Sequence, residues 1–178
     1  MNIELEFLNL LQNIHNPILD KFMVFITKLG DMGIIWLLLT IILLMYSKKR
    51  KSGIVLAVAI CIDIILCNGM LKHIFARIRP CDVNTSIALL IARPNDFSFP
   101  SGHTAVSFTA VTALYLSKEK KLWKPALILS VLIAFSRMYL YVHYPSDILG
   151  GVIIGIVSGY TGYFIVGKFI SLKQKSIC

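Results

Sequence analysis

The sequence predicts an all-α fold: an integral membrane bundle of five to six transmembrane helices preceded by an amphipathic segment. Three observations predict it. Hydrophobic residues make up 57% of the 178 residues and charged ones only 15%, where a soluble domain carries about 25% charged residues. Mean hydropathy is +0.77. The apolar residues also gather into stretches near the ~20 residues that cross a bilayer as a helix. Open sheet edges cannot face lipid, which leaves helices. One domain over residues 1–178 is the natural division.

At the N-terminus, Ile3, Phe7, Leu10, Leu11 and Ile14 recur at near-helical spacing, so this segment is expected along the membrane surface. Glu4 and Glu6 lie in it, and the basic flank of a secretory signal is missing. Pro17 breaks the pattern. Residues 18–29 are apolar but carry Asp20, Lys21 and Lys28, and are expected to form an interfacial or partly inserted helix ending at Gly30. Residues 1–30 thus form an N-terminal interfacial segment. Candidate spans follow at Met32–Tyr46, Gly53–Leu71, His103–Leu122, Pro125–Val142 and Asp147–Gly167. Five spans put the N-terminus outside and six put it inside; the shortage of early Lys and Arg favours outside.

The net charge is +9, yet the basic residues do not describe a nucleic-acid surface. They cluster at 48–51, 118–124 and 168–175, between the apolar stretches. Cytoplasmic loops have that pattern. The clusters fall at alternate span ends, so 72–102 and 136–147 are expected together on the opposite, extracytoplasmic face of a multi-pass protein. The four cysteines, Cys61, Cys67, Cys81 and Cys178, have no paired spacing that suggests zinc or redox chemistry. Gly151, Gly155 and Gly159 let one face of the last span approach another helix closely. Packing within the bundle or a homodimer interface both fit. Asp63 lies mid-span, where a carboxylate needs a partner or a proton.

An ionisable side chain at membrane depth costs about 2.5–3.5 kcal/mol even on lenient scales, so such residues mark a site. Lys72 and Arg79 are seven apart, which on a helix places them on one face. Arg137 comes from another helix. Ser101 and Gly102 follow Pro100 and open a long apolar segment, so their N–H groups are expected at a helix N-terminus, an anion site. Arg, Lys and such N–H groups together suit a phosphate. His143 and Asp147 are four apart. Asp147 can accept the Nδ1 proton of His143 and leave Nε2 free to attack. His103, next to the anion nest, can protonate a leaving oxygen. This chemistry passes through a phosphohistidine and requires no metal or other cofactor. Zinc ligation by His103, His143 and Asp147 is disfavoured, because the surrounding cations would repel a dication.

Lys72–Pro80 (Lys, six residues, Arg-Pro), Pro100-Ser101-Gly102-His103, and Ser136-Arg137 with His143 and Asp147 resemble the three motifs of the type 2 phosphatidic acid phosphatase superfamily. The resemblance is carried by 68–151. It implies a metal-independent phosphatase in which His143 is the nucleophile, Asp147 supports it and His103 is the general acid. Lys72, Arg79, Ser101, Gly102 and Arg137 would bind phosphate. Such families act on several lipid phosphates. The resemblance points first to undecaprenyl pyrophosphate, with undecaprenyl phosphate as product, and second to phosphatidylglycerophosphate or phosphatidic acid. A protein that binds or transports an anionic lipid is the competing class. It would not need His143 and Asp147 at this spacing, and transporters show repeats and broken mid-membrane helices that this sequence lacks.

Overall fold

The computed structural model describes residues 3–175, with side chains through Leu172; Cys178 lies outside the described residues. Among the described residues the fold is helical, without strands. Helix α1 spans Ile3–Gln12. Helix α2 spans Pro17–Gly30 and starts where the local chemistry favours it: Pro17 occupies the first turn, and the Asn16 side chain accepts the Leu19 N–H. Helix α3 spans Ile34–Met45. The bend between α2 and α3 is made by Met32 (φ 50°) and Gly33 (φ 67°), both left-handed. A Cβ on Gly33 would also sit 3.3 Å from Val106, so glycine serves both backbone and packing there.

Helix α4, Arg50–Asp63, runs directly into a π-helical stretch, Ile64–Leu71, and then into the short α5, Lys72–Phe75. Ala76 ends it in the left-handed region (φ 42°). Lys72 and Arg79 are therefore not on one helical face, as their spacing suggests. Arg79 is in extended backbone (φ −73°, ψ 152°) just before α6, Pro80–Val83, because Pro80 disfavours the α conformation in the residue before it. Helices α7 (Gly102–Leu116), α8 (Trp123–Tyr139) and α9 (Pro145–Lys175) complete the bundle.

Among the described residues, three helical stretches are long and apolar enough to cross a membrane: Pro17–Met45, Ser47–Val83 and Pro145–Leu172. Span limits differ from the sequence reading. The first stretch starts before Met32 and takes in residues 18–29. Helices α7 and α8, expected as spans, have 15 and 17 residues, short of the ~20 that span a bilayer unaided. Helix α7 is buried almost throughout, packed against α4, α8 and α9. Its environment is protein, so its length is not set by the bilayer.

The core is apolar along the bundle axis, with Trp36, Leu56, Ala110, Leu114 and Ile133 in one cluster. Trp36 donates its indole N–H to Ser107 Oγ at 3.0 Å, satisfying the polar atom that its burial would otherwise strand. Leu37, Leu38, Ile41 and Ile42 on α3, and Leu149, Ile153 and Phe164 on α9, are exposed. Apolar residues on the outside are what a lipid-facing surface requires. At one end Lys49 pairs with Glu119 at 2.9 Å and Ser52 donates to the same carboxylate. The basic segments 48–51 and 118–124 thus meet there, at the end of α7 remote from Gly102.

Gly151, Gly155 and Gly159 of α9 face α7. A Cβ on Gly155 would lie 2.5 Å from the Ala105 carbonyl oxygen, and one on Gly159 2.5 Å from Thr112 Cβ. This face is filled within the protomer. Gly155→Ala is expected to lower the midpoint of thermal unfolding in detergent, by the about 1–3 kcal/mol that overpacking costs. Gly167→Ala, with nothing within 4 Å of the added Cβ, is expected to leave it unchanged or slightly raised.

Candidate active site

His143 lies in the 140–144 turn between α8 and α9 and is 1% exposed. Arg79 Nη1 is 3.1 Å from its Nε2. A guanidinium only donates, so Nε2 must be the acceptor nitrogen and the proton sits on Nδ1. Nδ1 is 3.4 Å from Asp147 Oδ2. The neutral tautomer with a lone pair on Nε2 is thus fixed from both sides. Burial, and then the Arg79, Arg137 and Lys72 charges, hold the His143 pKa well below its ordinary value, which keeps the lone pair unprotonated.

Asp147 is fully buried and saturated with donors. Its Oδ2 accepts from the Ser98 hydroxyl and from the Tyr144 N–H at 2.8 Å. Its Oδ1 accepts from Arg77 Nη1 at 2.6 Å. The Asp147 carbonyl accepts the Ser101 N–H at 3.1 Å, locking the start of α9 to the start of α7. Arg77 also reaches Glu4 at 2.6 Å and stacks over the Tyr144 ring, 3.9 Å from its centroid. Arg77 therefore faces Asp147, away from the other cations. Glu4 in turn accepts from the Ser146 N–H and hydroxyl.

The three cations named from sequence converge. Arg79 is 2% exposed and anchored by the carbonyls of Val142 (2.7 Å) and Asp96 (2.8 Å). Lys72 and Arg79 share the Asp96 carboxylate: Lys72 pairs with Oδ2 and Arg79 Nη2 donates to Oδ1 at 2.6 Å. Burial alone would raise the Asp96 pKa, but the two cations outweigh it and hold it at about 2. Arg137, 3% exposed, donates to Thr27 Oγ1, and its Nε has no hydrogen-bond partner. An orphaned buried donor beside two other cations is an invitation to an anion.

Ser101 and Gly102 sit at the start of α7, where helix geometry leaves the first N–H groups without intrahelical partners. A Cβ on Gly102 would approach Asn68 Oδ1 to 3.1 Å and Lys72 Nζ to 4.0 Å, so glycine lets these groups close on the helix end. His103 Nε2 is 2.9 Å from Asp31 Oδ1, which leaves Nδ1 for a proton transfer. All eight residues named from sequence thus gather at one end of the bundle.

Sequence reasoning missed Asp96, Ser98, Asp31, Thr27 and Glu4. Glu4 and Thr27 belong to the N-terminal segment of residues 1–30, which the three motifs do not reach, and Asp31 directly follows it. A lone acid four residues before Pro100 was the one available sign of Asp96. His15 and His73 lie outside the cluster: His15 stacks on Tyr139 at 4.1 Å and His73 meets the edge of Phe97.

A cavity of about 350 Å³ reaches from Lys72 and His103 past Asn68 to Met32, Leu37, Ile60 and Ile64. A second, of about 620 Å³, lies on the other side of His103, next to Arg137 and Lys28.

The family described as the PAP2 superfamily matches residues 52–171. The undecaprenyl-diphosphatase of Sulfolobus acidocaldarius is 35% identical over 137 residues, 77% of this chain and 66% of that protein, just under two thirds of its length. The undecaprenyl-diphosphatase BcrC of Bacillus subtilis is 31% identical over 82% of this chain and 74% of its own. Among solved structures, the transmembrane PAP2 type phosphatidylglycerolphosphate phosphatase from Bacillus subtilis superposes with a TM-score of 0.72 at 28% identity, covering 95% of this chain and 85% of that one. The chain belongs to the PAP2 superfamily and is a membrane lipid phosphatase.

The Asp96 carboxylate occupies two of the cations a phosphate would use. Asp96→Asn is expected to tighten inhibition by inorganic phosphate about fivefold, the scale of one partly exposed charge pair. Competitive inhibition constants of the two proteins check this.

Proposed function

We propose that this PAP2 chain hydrolyses undecaprenyl pyrophosphate to undecaprenyl phosphate and inorganic phosphate at the extracytoplasmic face, through a phosphohistidine on His143. The observation that carries the mechanism is the fixed tautomer of His143, with Nε2 unprotonated beside Arg79 and Nδ1 toward Asp147. Two curated relatives named for the diphosphatase activity support the substrate. The basic segments at the far end of the bundle support the membrane face.

In the first step the His143 Nε2 lone pair forms a bond to the terminal phosphorus. The bond from that phosphorus to the bridging oxygen breaks, and His103 gives its proton to the departing oxygen. Asp31, 2.9 Å from His103 Nε2, orients the imidazole for the transfer. Lys72, Arg79, Arg137, the Ser101 hydroxyl and the Gly102 N–H hold the equatorial oxygens, where charge develops. In the second step His103 takes a proton from water as the water oxygen attacks phosphorus. The nitrogen–phosphorus bond breaks, and Nε2 recovers its lone pair. Asp147 stabilises the positive charge on the phosphorylated ring without taking its proton. The apolar cavity beside His103 gives the lipid chain a path from the site toward the outside of α3.

A phosphatidylglycerophosphate or phosphatidic acid phosphatase is the second reading, favoured by the superposition on the phosphatidylglycerolphosphate enzyme. The cluster reads phosphate, so the choice among lipids rests on the leaving-group side of the site. Binding or transport without hydrolysis is the reading of another class, and loss of turnover on removing one nucleophile separates it.

His143→Ala is expected to lower kcat by about 10⁴-fold or more while leaving binding of inorganic phosphate within severalfold. Phosphate release from undecaprenyl pyrophosphate in detergent, with a chelator present, checks this. Turnover retained by the variant would sink the nucleophile assignment. The pH profile has a predictable sign. Because the His143 pKa is lowered, its neutral form persists as pH falls, so the acid limb of kcat/KM should lie below the ordinary histidine range. An acid limb centred near 6.5, the unperturbed value, would contradict a buried neutral nucleophile.

A further inference from the structure

The larger cavity is not explained by the phosphate cradle alone. It is lined by Thr27, Lys28, Asp31, Arg93, His103 and Arg137 among others, and encloses about 620 Å³. We infer that it is a second anion subsite, in which Lys28, Arg93 and Arg137 hold the phosphate that stays with the lipid when a diphosphate is cleaved. This deepens the function proposed above and rests on its assignment of His103 to the leaving group.

Three observations carry it. First, His103 borders both cavities. The bridging oxygen it protonates must lie where they meet. The phosphorus beyond that oxygen then has an apolar cavity on one side for its ester-linked chain and a cationic one on the other for its free oxygens. Second, the cationic side has a donor with no partner. Arg137 is 3% exposed, and its Nε is bonded to nothing. Its Nη1 is taken by Thr27, so the guanidinium is held at the wall between the terminal-phosphate cradle and the second cavity. Third, the remaining cations are placed by the fold. Arg93 is fixed by the Cys81 carbonyl at 2.9 Å and by Asp82 at 2.6 Å. Lys28, in the last turn of α2, is exposed and has no ion pair among the described residues.

One carboxylate, Asp31, also lines the cavity, but its Oδ1 is engaged by His103. The balance on the cavity wall is three cations, one of them (Arg93) already paired with Asp82, against one paired carboxylate. A monophosphate ester brings a neutral group to this position and leaves the cations to water. A diphosphate brings an anion that they neutralise. Selectivity for diphosphates then arises from Lys28 and Arg93, which stand outside the three motifs, and not from the motif residues, which treat both classes alike. Long-chain alcohol diphosphates and other lipid diphosphates share this chemistry.

The test compares the full-length protein with Lys28→Ala, Arg93→Ala and the double variant in detergent. Two substrates are used, undecaprenyl pyrophosphate and phosphatidic acid, together with inhibition by methylenediphosphonate and by inorganic phosphate. In the double variant kcat/KM for the diphosphate lipid is expected to fall about tenfold to a hundredfold, mainly through KM, the scale of one or two charge-assisted contacts. Phosphatidic acid turnover and phosphate inhibition should stay within about twofold, and the Lys28→Arg, Arg93→Lys double exchange should restore most of the loss. Methylenediphosphonate should inhibit the unaltered protein more tightly than phosphate does, and lose that advantage in the double variant. Equal losses on both lipids, or no loss on either, would overturn the subsite. If the unaltered protein cleaves phosphatidic acid but not undecaprenyl pyrophosphate, the substrate reading fails by itself. Selective loss of diphosphonate inhibition would then still support the subsite, and its absence would overturn it too.

Discussion

The Asp147 carboxylate is the point to which the rest of the site is tied. It is fully buried at the start of α9, and a charge there is tolerated because every approach to it is occupied: Arg77 and Ser98 by side chain, Tyr144 by backbone, His143 by its ring. Losing one partner of a buried ion pair costs about 3–5 kcal/mol, so these four groups hold their places firmly. They come from the turn after α5, the 84–101 loop and the 140–144 turn. Through one carboxylate, segments separate in sequence are pinned around His143, and through the Asp147 carbonyl the start of α7 is pinned as well.

Arg79, Arg137 and Lys72 are then packed against that frame with very little exposure. Like charges so close repel, and the protein offsets the repulsion locally. Asp96 sits between Lys72 and Arg79, Thr27 and backbone carbonyls take other donors, and one Arg137 nitrogen is left unmatched. The same arrangement suits a dianion, which would satisfy all the cations at once. Under the proposed function, binding energy would be concentrated on the phosphate, so that a greasy substrate would be recognised through a small polar group.

Much of this was legible in the residues, for physical reasons. Charges in an apolar chain are rare, so Lys72, Arg79, His103, Arg137, His143 and Asp147 stood out against a uniform background. Apolar stretches near 20 residues, far longer than a barrel strand, pointed to helices as the way to satisfy the backbone in lipid. Span limits were less legible. Helix α7 is shielded by its neighbours and follows protein packing, so a hydropathy pattern overstated its length. The Lys72–Arg79 spacing misled because a left-handed Ala76 and the restriction imposed by Pro80 end the helix between them. Asp96, Ser98 and Asp31 were illegible for another reason: their partners lie far along the chain, and an acid or a hydroxyl in a loop carries no local sign of what it will meet.

The π-helical turns at Ile64–Leu71 have a consequence for how this chain can change length. Each such turn holds a residue more than an α-helical turn covers. Losing one residue there would let the segment close into ordinary α-helix without breaking the chain. Everything beyond would keep its facing, because the wide turn already absorbs the extra residue. Lys72 follows immediately, so its ammonium would stay beside Asp96. The same deletion in the regular part of α4, where nothing absorbs it, would turn Lys72 by about 100° relative to the helix before it, the angle of one α-helical residue. The π-helical turns are slack in the chain, a place where one residue can be lost without moving the cation that follows.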